Sequence, residues 1–489
     1  MKRSLWKPAA CALIALAAAS AARADLYIPT KTADTDDGAC TLTDCSLREA
    51  IDAANDHAGA DAILLRAGTY LLTLPASPEG HLAVRGDLTL VGDGAGRSII
   101  DGHAASGIFF IAGGVTAEFR EVTLKGGKSP GAGGAIHNDG GNLTLIRVEV
   151  NGNASVAGSR GAGIGGGISS PAGTLTLRDS FIGFNSAENS GGGLYAGGTV
   201  TIANVTFDNN KSLDGGGGLY FAASARVTVN NATITRNTAP QGGGIYIQNT
   251  PFLDLAPRVT NSIVAENLAS GDGSDCFGPI NSSYDVIGNP AGCVGPSAAT
   301  HDLIGAAAQP LNLANLAFNG GPTVTRALTA GSKALDAGNP AAPGSGNGAC
   351  EATDQRGATR PGGPRCDIGA FELTAECLSG GGTLCLNQSR FKVTATWQTA
   401  TGTGAAIGVP LTSDSGYFYF FDPTNVEVTV KVLDACIVNN KYWVFVSGLT
   451  NLGVTLNVTD TRTNVTKTYA NPRGRTFRTI LDSSAFPCP

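Results

Sequence analysis

The chain has 489 residues, 68 of them glycine and one methionine, with 33 Lys and Arg against 39 Asp and Glu for a net charge of −6. That length admits more than one domain. A mildly acidic surface gives no basis for nucleic-acid binding and counts against a polyanionic ligand.

Taken in order, residues 1–24 have the pattern of an export signal. Lys2, Arg3 and Lys7 form a basic start, Ala9 to Ala19 an apolar middle, and Ala22-Arg23-Ala24 a cleavage site. Cys11 lacks the apolar approach of a lipoprotein signal, and no later run is long enough to be a transmembrane segment. The mature chain is therefore expected outside the cytoplasm, extracellular or at the cell surface. Ten cysteines remain after Cys11, an even number that fits disulfides in an exported chain: Cys40, Cys45, Cys276, Cys293, Cys350, Cys366, Cys377, Cys385, Cys436 and Cys488. None has C-x-x-C spacing, so pairing with a neighbour is expected rather than metal ligation.

Residues 25–58 read as an N-terminal cap. Ser46 with Glu49 three positions on is a capping box, and Leu47, Ala50, Ile51 and Ala54 share one helical face. A short amphipathic helix there would cover the open apolar end of a repeat array. Cys45-Ser-Leu-Arg-Glu-Ala50 resembles the CSLREA motif found at the start of many exported bacterial repeat proteins, a likeness that implies architecture more than chemistry.

From 59 to 317 the chain reads as β. Strands are expected at Ile63–Leu65, Tyr70–Leu74, Leu88–Val91, Ile99–Ile100 and Ile108–Ile111. From Gly131 to Asn267 one phrase recurs: a glycine run ending in Ile136, Ile168, Leu194, Leu219 or Ile245, 32, 26, 25 and 26 residues apart. Strand phrases such as Leu143-Thr-Leu145 and Val200-Thr-Ile202 keep pace, and Asn153, Asn185, Asn210, Asn237 and Asn267 each follow the last aliphatic by eight residues. A fixed period means stacked units, because one unit cannot bury its own apolar face. A flexible linker would lack in-register aliphatics. The reading is an all-β fold, a right-handed parallel β-helix with coils ~4.8 Å apart, whose equivalent asparagines stack and bond one another at a turn needing left-handed geometry. Leu88-Thr-Leu-Val-Gly92 and Ser98-Ile-Ile-Asp-Gly102 resemble the opening coils of pectate-lyase-like (pectin lyase-like) β-helices. The paired Gly-Gly-x-aliphatic and apolar-x-x-Asn phrases, as in Phe207-Asp-Asn-Asn210, resemble repeats of polymorphic outer membrane proteins. Only Phe207 keeps the phenylalanine of that pattern.

Residues 318–374, from Asn319-Gly-Gly-Pro-Thr323 through Asp354-Gln-Arg-Gly357 to Cys366-Asp-Ile-Gly-Ala-Phe-Glu372, resemble a choice-of-anchor module, which implies a C-terminal cap. Arg356 and Arg360 are expected to face Asp354 and Asp367. In residues 375–489 glycine thins and aromatics gather, with alternating runs at Phe391–Trp397, Val426–Val432, Tyr442–Val446 and Val454–Val458. That pattern predicts a small C-terminal β-sandwich-like domain with Phe418 and Phe420 inside.

Two classes of function remain. A polysaccharide lyase or glycoside hydrolase would need clustered carboxylates on successive coils. The repeats offer Arg147, Arg178, Asp179, Asp208 and Arg236, mixed in sign and equally readable as solvated outward positions. Asp34 to Asp37 and Asp272-Gly-Ser-Asp275 have the composition of calcium loops, though turn-forming chemistry explains them as well; no cofactor is expected. Among His57, His81, His103, His137 and His301, His137 occupies the repeat position of Tyr195, Tyr220 and Tyr246. No residue is marked as catalytic by motif. The other class, a monomeric binding, adhesion or structural protein directed at an extracellular glycan or a surface protein, needs no missing motif and is preferred. An enzyme should show an outward groove with carboxylates and a cation across coils, a binding protein an even, uncharged face.

Overall fold

The structure, a computed structural model, describes residues 24–74, 81–158, 161–248, 256–329, 331–373, 377, 382–387, 390–461, 463 and 465–488. Of the expected export signal, only Ala24 falls among them.

From Asp61 to Ile304 the chain winds as a parallel β-helix of about eight turns. A full coil has four strand positions, for example Thr199–Ala203, Thr206–Asp208, Lys211–Ser212 and Leu219–Phe221. The next coil repeats them without slippage: Val200 pairs with Val227, Ile202 with Val229, Phe207 with Ile234, Leu219 with Ile245. These aliphatics point inward and are buried, forming a single core from Cys45 to Ile287. Each contributes roughly 1.5–3 kcal/mol on burial, which is why register follows the aliphatic spacing. Gly191-Gly-Gly193 shows what the glycine runs do. Gly191 has φ +73°, and a Cβ on Gly192 or Gly193 would lie 2.4 and 2.6 Å from carbonyl oxygens of the next coil.

The capping helix spans Leu47–Asp56, with Ser46 and Glu49 in a reciprocal capping box and Leu47, Ala50, Ile51 and Ala54 in the core. The first coil departs from expectation in one place. Its second strand is Gly68–Leu71 and stops short of Leu74, because the Asp34 carboxylate takes the N–H groups of Thr73 and Leu74.

The asparagines stack as a ladder. The side-chain amides of Asn153, Asn185, Asn210 and Asn237 each donate to the Oδ1 of the next at 2.9–3.0 Å, and Asn267 donates to Asp275. The left-handed residue is the one before the asparagine: Phe184, Asn209, Arg236 and Glu266 have φ of 57°, 56°, 57° and 60°. The αL backbone turns the chain, and the following asparagine, buried, reads the next coil.

Beyond Ile304 the structure differs from expectation. Leu313–Ala317, expected in the solenoid, pairs antiparallel with Thr325–Leu328. Residues 305–329 and 331–373 run as a strap laid back along the solenoid's flank. Ala308, Leu311, Leu328, Ala334, Ile368 and Phe371 pack on the outward side chains Ile263, Ala265 and Val286. Strap groups bond coils far back in sequence: Val324 N–H to Glu149, Thr323 to the Asp179 carbonyl, Glu351 to Arg178. Within the strap Arg356 pairs with Asp354 at 2.7 Å as expected, but Arg360 pairs with Glu372 at 2.6 Å and reaches only the backbone carbonyl of Asp367. All four charged groups of these two pairs are buried.

The tail is a pair of antiparallel sheets. Thr383–Leu386, Phe391–Gln398, Gly453–Asp460 and Val465–Asn471, with Thr403–Ala405 at one side, face Ile407–Thr412, Ser415–Tyr419, Val428–Ala435, Lys441–Gly448 and Ile480–Pro487. One core joins them, including Phe418, Phe420, Val444 and Leu456. Disulfides link Cys40–Cys45, Cys276–Cys293, Cys350–Cys366, Cys377–Cys385 and Cys436–Cys488, which fits an oxidising environment. Among the described residues no helix is long and apolar enough to cross a membrane.

Candidate functional site

The corner between the first and second strand positions carries the site. There the residue two after the last inward residue of the first strand is left-handed in every coil from the third: Glu121, Arg147, Asp179, Asn204, Asn231, Asn261 and Tyr284, with φ between 50° and 58°. The backbone reason is uniform. The N–H of each donates to a carbonyl of the following coil, at 3.1–3.2 Å throughout. The side chains are not uniform. Under the strap they are asparagines that bond its backbone: Asn204 to the Thr353 carbonyl, Asn231 from the Glu351 N–H, Asn261 to the Gly348 carbonyl. At the three earlier corners they are Glu121, Arg147 and Asp179, and at the last Tyr284, which stacks on His301 at 4.7 Å.

Glu121 and Arg147 line a cleft of about 520 Å³, and Arg147 and Asp179 line a neighbouring recess of about 280 Å³ that shares Arg147, Pro322 and Arg390 with it; both are walled by the strap on one side and the tail on the other. The solenoid supplies Asp93, Arg97, Glu121, Arg147 and Asp179; the strap supplies Phe318, Pro322 and Arg356; the tail supplies Asn387, Arg390, Asp434 and Tyr442. Arg147 Nε pairs with Glu121. Burial pushes the Asp179 carboxyl up to about 6, against the lowering effect of the Asn204 amide, 3.0 Å away, and of Arg178 and Arg147. From the tail, Arg390 is clamped by Asp460 at 3.2 and 2.8 Å and lies 4.4 Å from the Tyr442 ring centroid. Left-handed Glu and Arg cost about 1–2 kcal/mol each relative to ordinary helical backbone, and such strain gathers where a side chain has a task.

Of the outward charges expected from the repeats, Arg147 and Asp179 meet here. The others serve the strap. Arg178 binds Glu351 at 2.8 Å, Asp208 accepts from Thr235 and lies 4.0 Å from Arg326, and Arg236 reaches Asn315 and Glu266. The two acidic loops are occupied by protein donors. Asp34 binds Arg48 through both oxygens, while the Lys31 ammonium sits among Asp37, Asp44 and Glu49. Asp275 ends the asparagine ladder, taking N–H groups of Asn267 and Asn289; Asp272 is exposed, and its carbonyl accepts from Gly242. His137 pairs in register with Ser169, which pairs with Tyr195, and so belongs to an aromatic column. In that column Tyr195, Tyr220, Tyr246 and Phe277 stack at 4.9–5.2 Å.

A separate face carries a threonine column, flanked in register by Glu118 at one end and Arg258 at the other. Thr144, Thr176, Thr201 and Thr228 pair in register on four successive coils, and Thr174 pairs with Thr199 beside them. The groove with carboxylates and cations expected of an enzyme and a run of uncharged outward threonines thus occur in the same solenoid.

Sequence reasoning missed Glu121, Phe318 and Arg390. Glu121 had a signal, its phase two residues after Phe119, shared with Arg147 and Asp179. Phe318 and Arg390 had none, since neither lies in a repeat.

A family model described as a right handed beta helix region matches residues 97–293. No curated protein and no solved structure matches.

Proposed function

We propose that the chain is an exported, surface-associated recognition protein for which the β-helix is a scaffold and the cleft is the glycan-binding site. The observation that carries this is the change along one column of left-handed corners, from strap-bonding asparagines to Glu121, Arg147 and Asp179, which line the cleft and its neighbouring recess. A site whose cations, Arg97 apart, are held in ion pairs is preorganised for hydrogen bonding, and it resembles a binding site more than an acid–base pair. The export-like start, the CSLREA-like cap and the choice-of-anchor-like segment support a place at the cell surface, and five disulfides support an oxidising compartment.

One observation favours glycoside hydrolysis as a second reading. Asp179, held up to about 6, is suited to proton donation, and Glu121 lies two coils away, a backbone separation of about 10 Å that approaches the inverting range for carboxylate pairs.

The test is a glycan array on the chain from Asp25, with reducing ends and unsaturated uronates followed in parallel. Binding without cleavage supports recognition. Cleavage abolished by Asp179→Asn replaces it with the hydrolase, and silence in both assays removes glycans altogether.

A further inference from the structure

We infer that the cleft takes an uncharged, hydroxyl-rich saccharide, with Arg390 as a fixed hydrogen-bond donor and Phe318 as its stacking surface; this rests on the recognition reading above. Arg390 is 6 % exposed. Its Nε and Nη2 are used by Asp460, and its plane lies against Tyr442 and, at 5.1 Å, Phe391. Nη1 is buried and has no hydrogen-bond partner, although the side chain lines both parts of the cleft. A buried N–H without an acceptor is destabilising, so the position calls for an oxygen. A ligand hydroxyl or carbonyl that reaches it meets a donor already oriented by Asp460 and Tyr442.

The charge balance selects the class. Arg390 is neutralised by Asp460, Arg147 by Glu121 and Arg356 by Asp354. Asp93, Asp179 and Asp434 also face the cleft, and Arg97 is the one cation of its lining outside an ion pair among the described residues. An incoming carboxylate or sulfate would therefore meet more negative than positive charge. A neutral ring meets donors and acceptors of both kinds. Phe318, 56 % exposed on the strap, offers a ring to the C–H face of a sugar. An aromatic beside fixed planar polar groups is the usual composition of a saccharide pocket.

The experiment is titration calorimetry of the chain from Asp25 with cellotetraose, N-acetylchitotetraose and tetragalacturonate at low and high salt, repeated on Phe318→Ala and Arg390→Lys. Phe318 is exposed, so its variant folds; Arg390→Lys keeps the charge opposite Asp460 while removing the Nη1 donor. The expected result is binding of a neutral tetrasaccharide, insensitive to salt and weakened roughly tenfold by Phe318→Ala, with Arg390→Lys also weaker. Preference for tetragalacturonate with steep salt dependence overturns the inference and leaves glycan recognition standing. So does neutral binding unchanged in both variants. No binding of any of the three saccharides overturns both.

Discussion

The strapped and open stretches of the solenoid share one backbone and differ in what their corners carry. At Asn204, Asn231 and Asn261, and at Glu121, Arg147 and Asp179, the φ values agree within a few degrees and each N–H bonds the next coil. The asparagine corners spend their side chains on the strap; Glu121 and Arg147 present charge to the cleft, and Asp179 to its neighbouring recess. Inward aliphatics, glycine runs and the asparagine ladder therefore hold the coil, and the corner side chains are free to specialise because the coil does not depend on them.

The sharpest way to break this contrast is to release the strap. Arg360 and Glu372 are both buried, and the Glu372 carboxylate also holds the N–H groups of Gly362 and Asp367. Arg360→Met strands Glu372 and is expected to cost roughly 3–5 kcal/mol. The loss should fall on the strap, with amide exchange rising across 305–373 while the inward strands stay protected. Uniform loss of protection would mean that strap and coil are one cooperative unit.

The ladder should be nearly as sensitive, and in the opposite place. Asn210 accepts from the Asn185 backbone and amide and donates to Asn237 and the Ile182 carbonyl. Asn210→Ala is expected to cost roughly 2–4 kcal/mol in chemical denaturation, because buried donors on both neighbouring coils lose partners. Asn204→Ala, at a strap-facing corner of the same coil, should cost less than half as much. Equal costs would contradict the division of labour between ladder and corner.

That division also explains what could be read in advance. The coil was legible because aliphatics, glycines and asparagines recur in register, and a repeating residue reports a repeating environment. The turn's left-handed geometry was legible but the residue that adopts it was not, since Phe184, Asn209, Arg236 and Glu266 share no chemistry and the αL requirement belongs to the backbone. The course of the strap was not legible because its contacts, such as Arg178 with Glu351, link residues 173 apart and leave no local pattern. One sign was available: Ile263-Val-Ala265 is apolar on both faces, as a strand covered on both sides must be. The cleft needs solenoid, strap and tail packed together, and no single stretch of chain encodes that.

A smaller effect should follow pH, again from buried groups rather than the open face. Burial raises Asp275 to about 6, and burial with the nearby Glu372 raises Asp367 to about 7, from ordinary values of 3.8. A pKa higher in the fold than in the unfolded chain means that the fold favours the protonated form. The resulting stabilisation is complete below the unfolded value and is lost as pH rises through 6 to 7. The melting temperature is therefore expected to fall between pH 5 and pH 8, and Asp367→Asn should flatten that fall. A melting temperature that rises across this interval would contradict the sign.

The least consequential change should be on the threonine face. Thr201 is exposed and sits in register between Thr176 and Thr228, so Thr201→Val keeps the β-branched shape and removes one solvated hydroxyl. Its effect on stability should stay within about 0.5 kcal/mol, and saccharide affinity should not change, because this face lies outside the cleft. A loss of affinity on Thr201→Val without loss of stability would move the binding surface from the charged corners to the threonine face. The contrast between open and strapped corners would then describe packing alone.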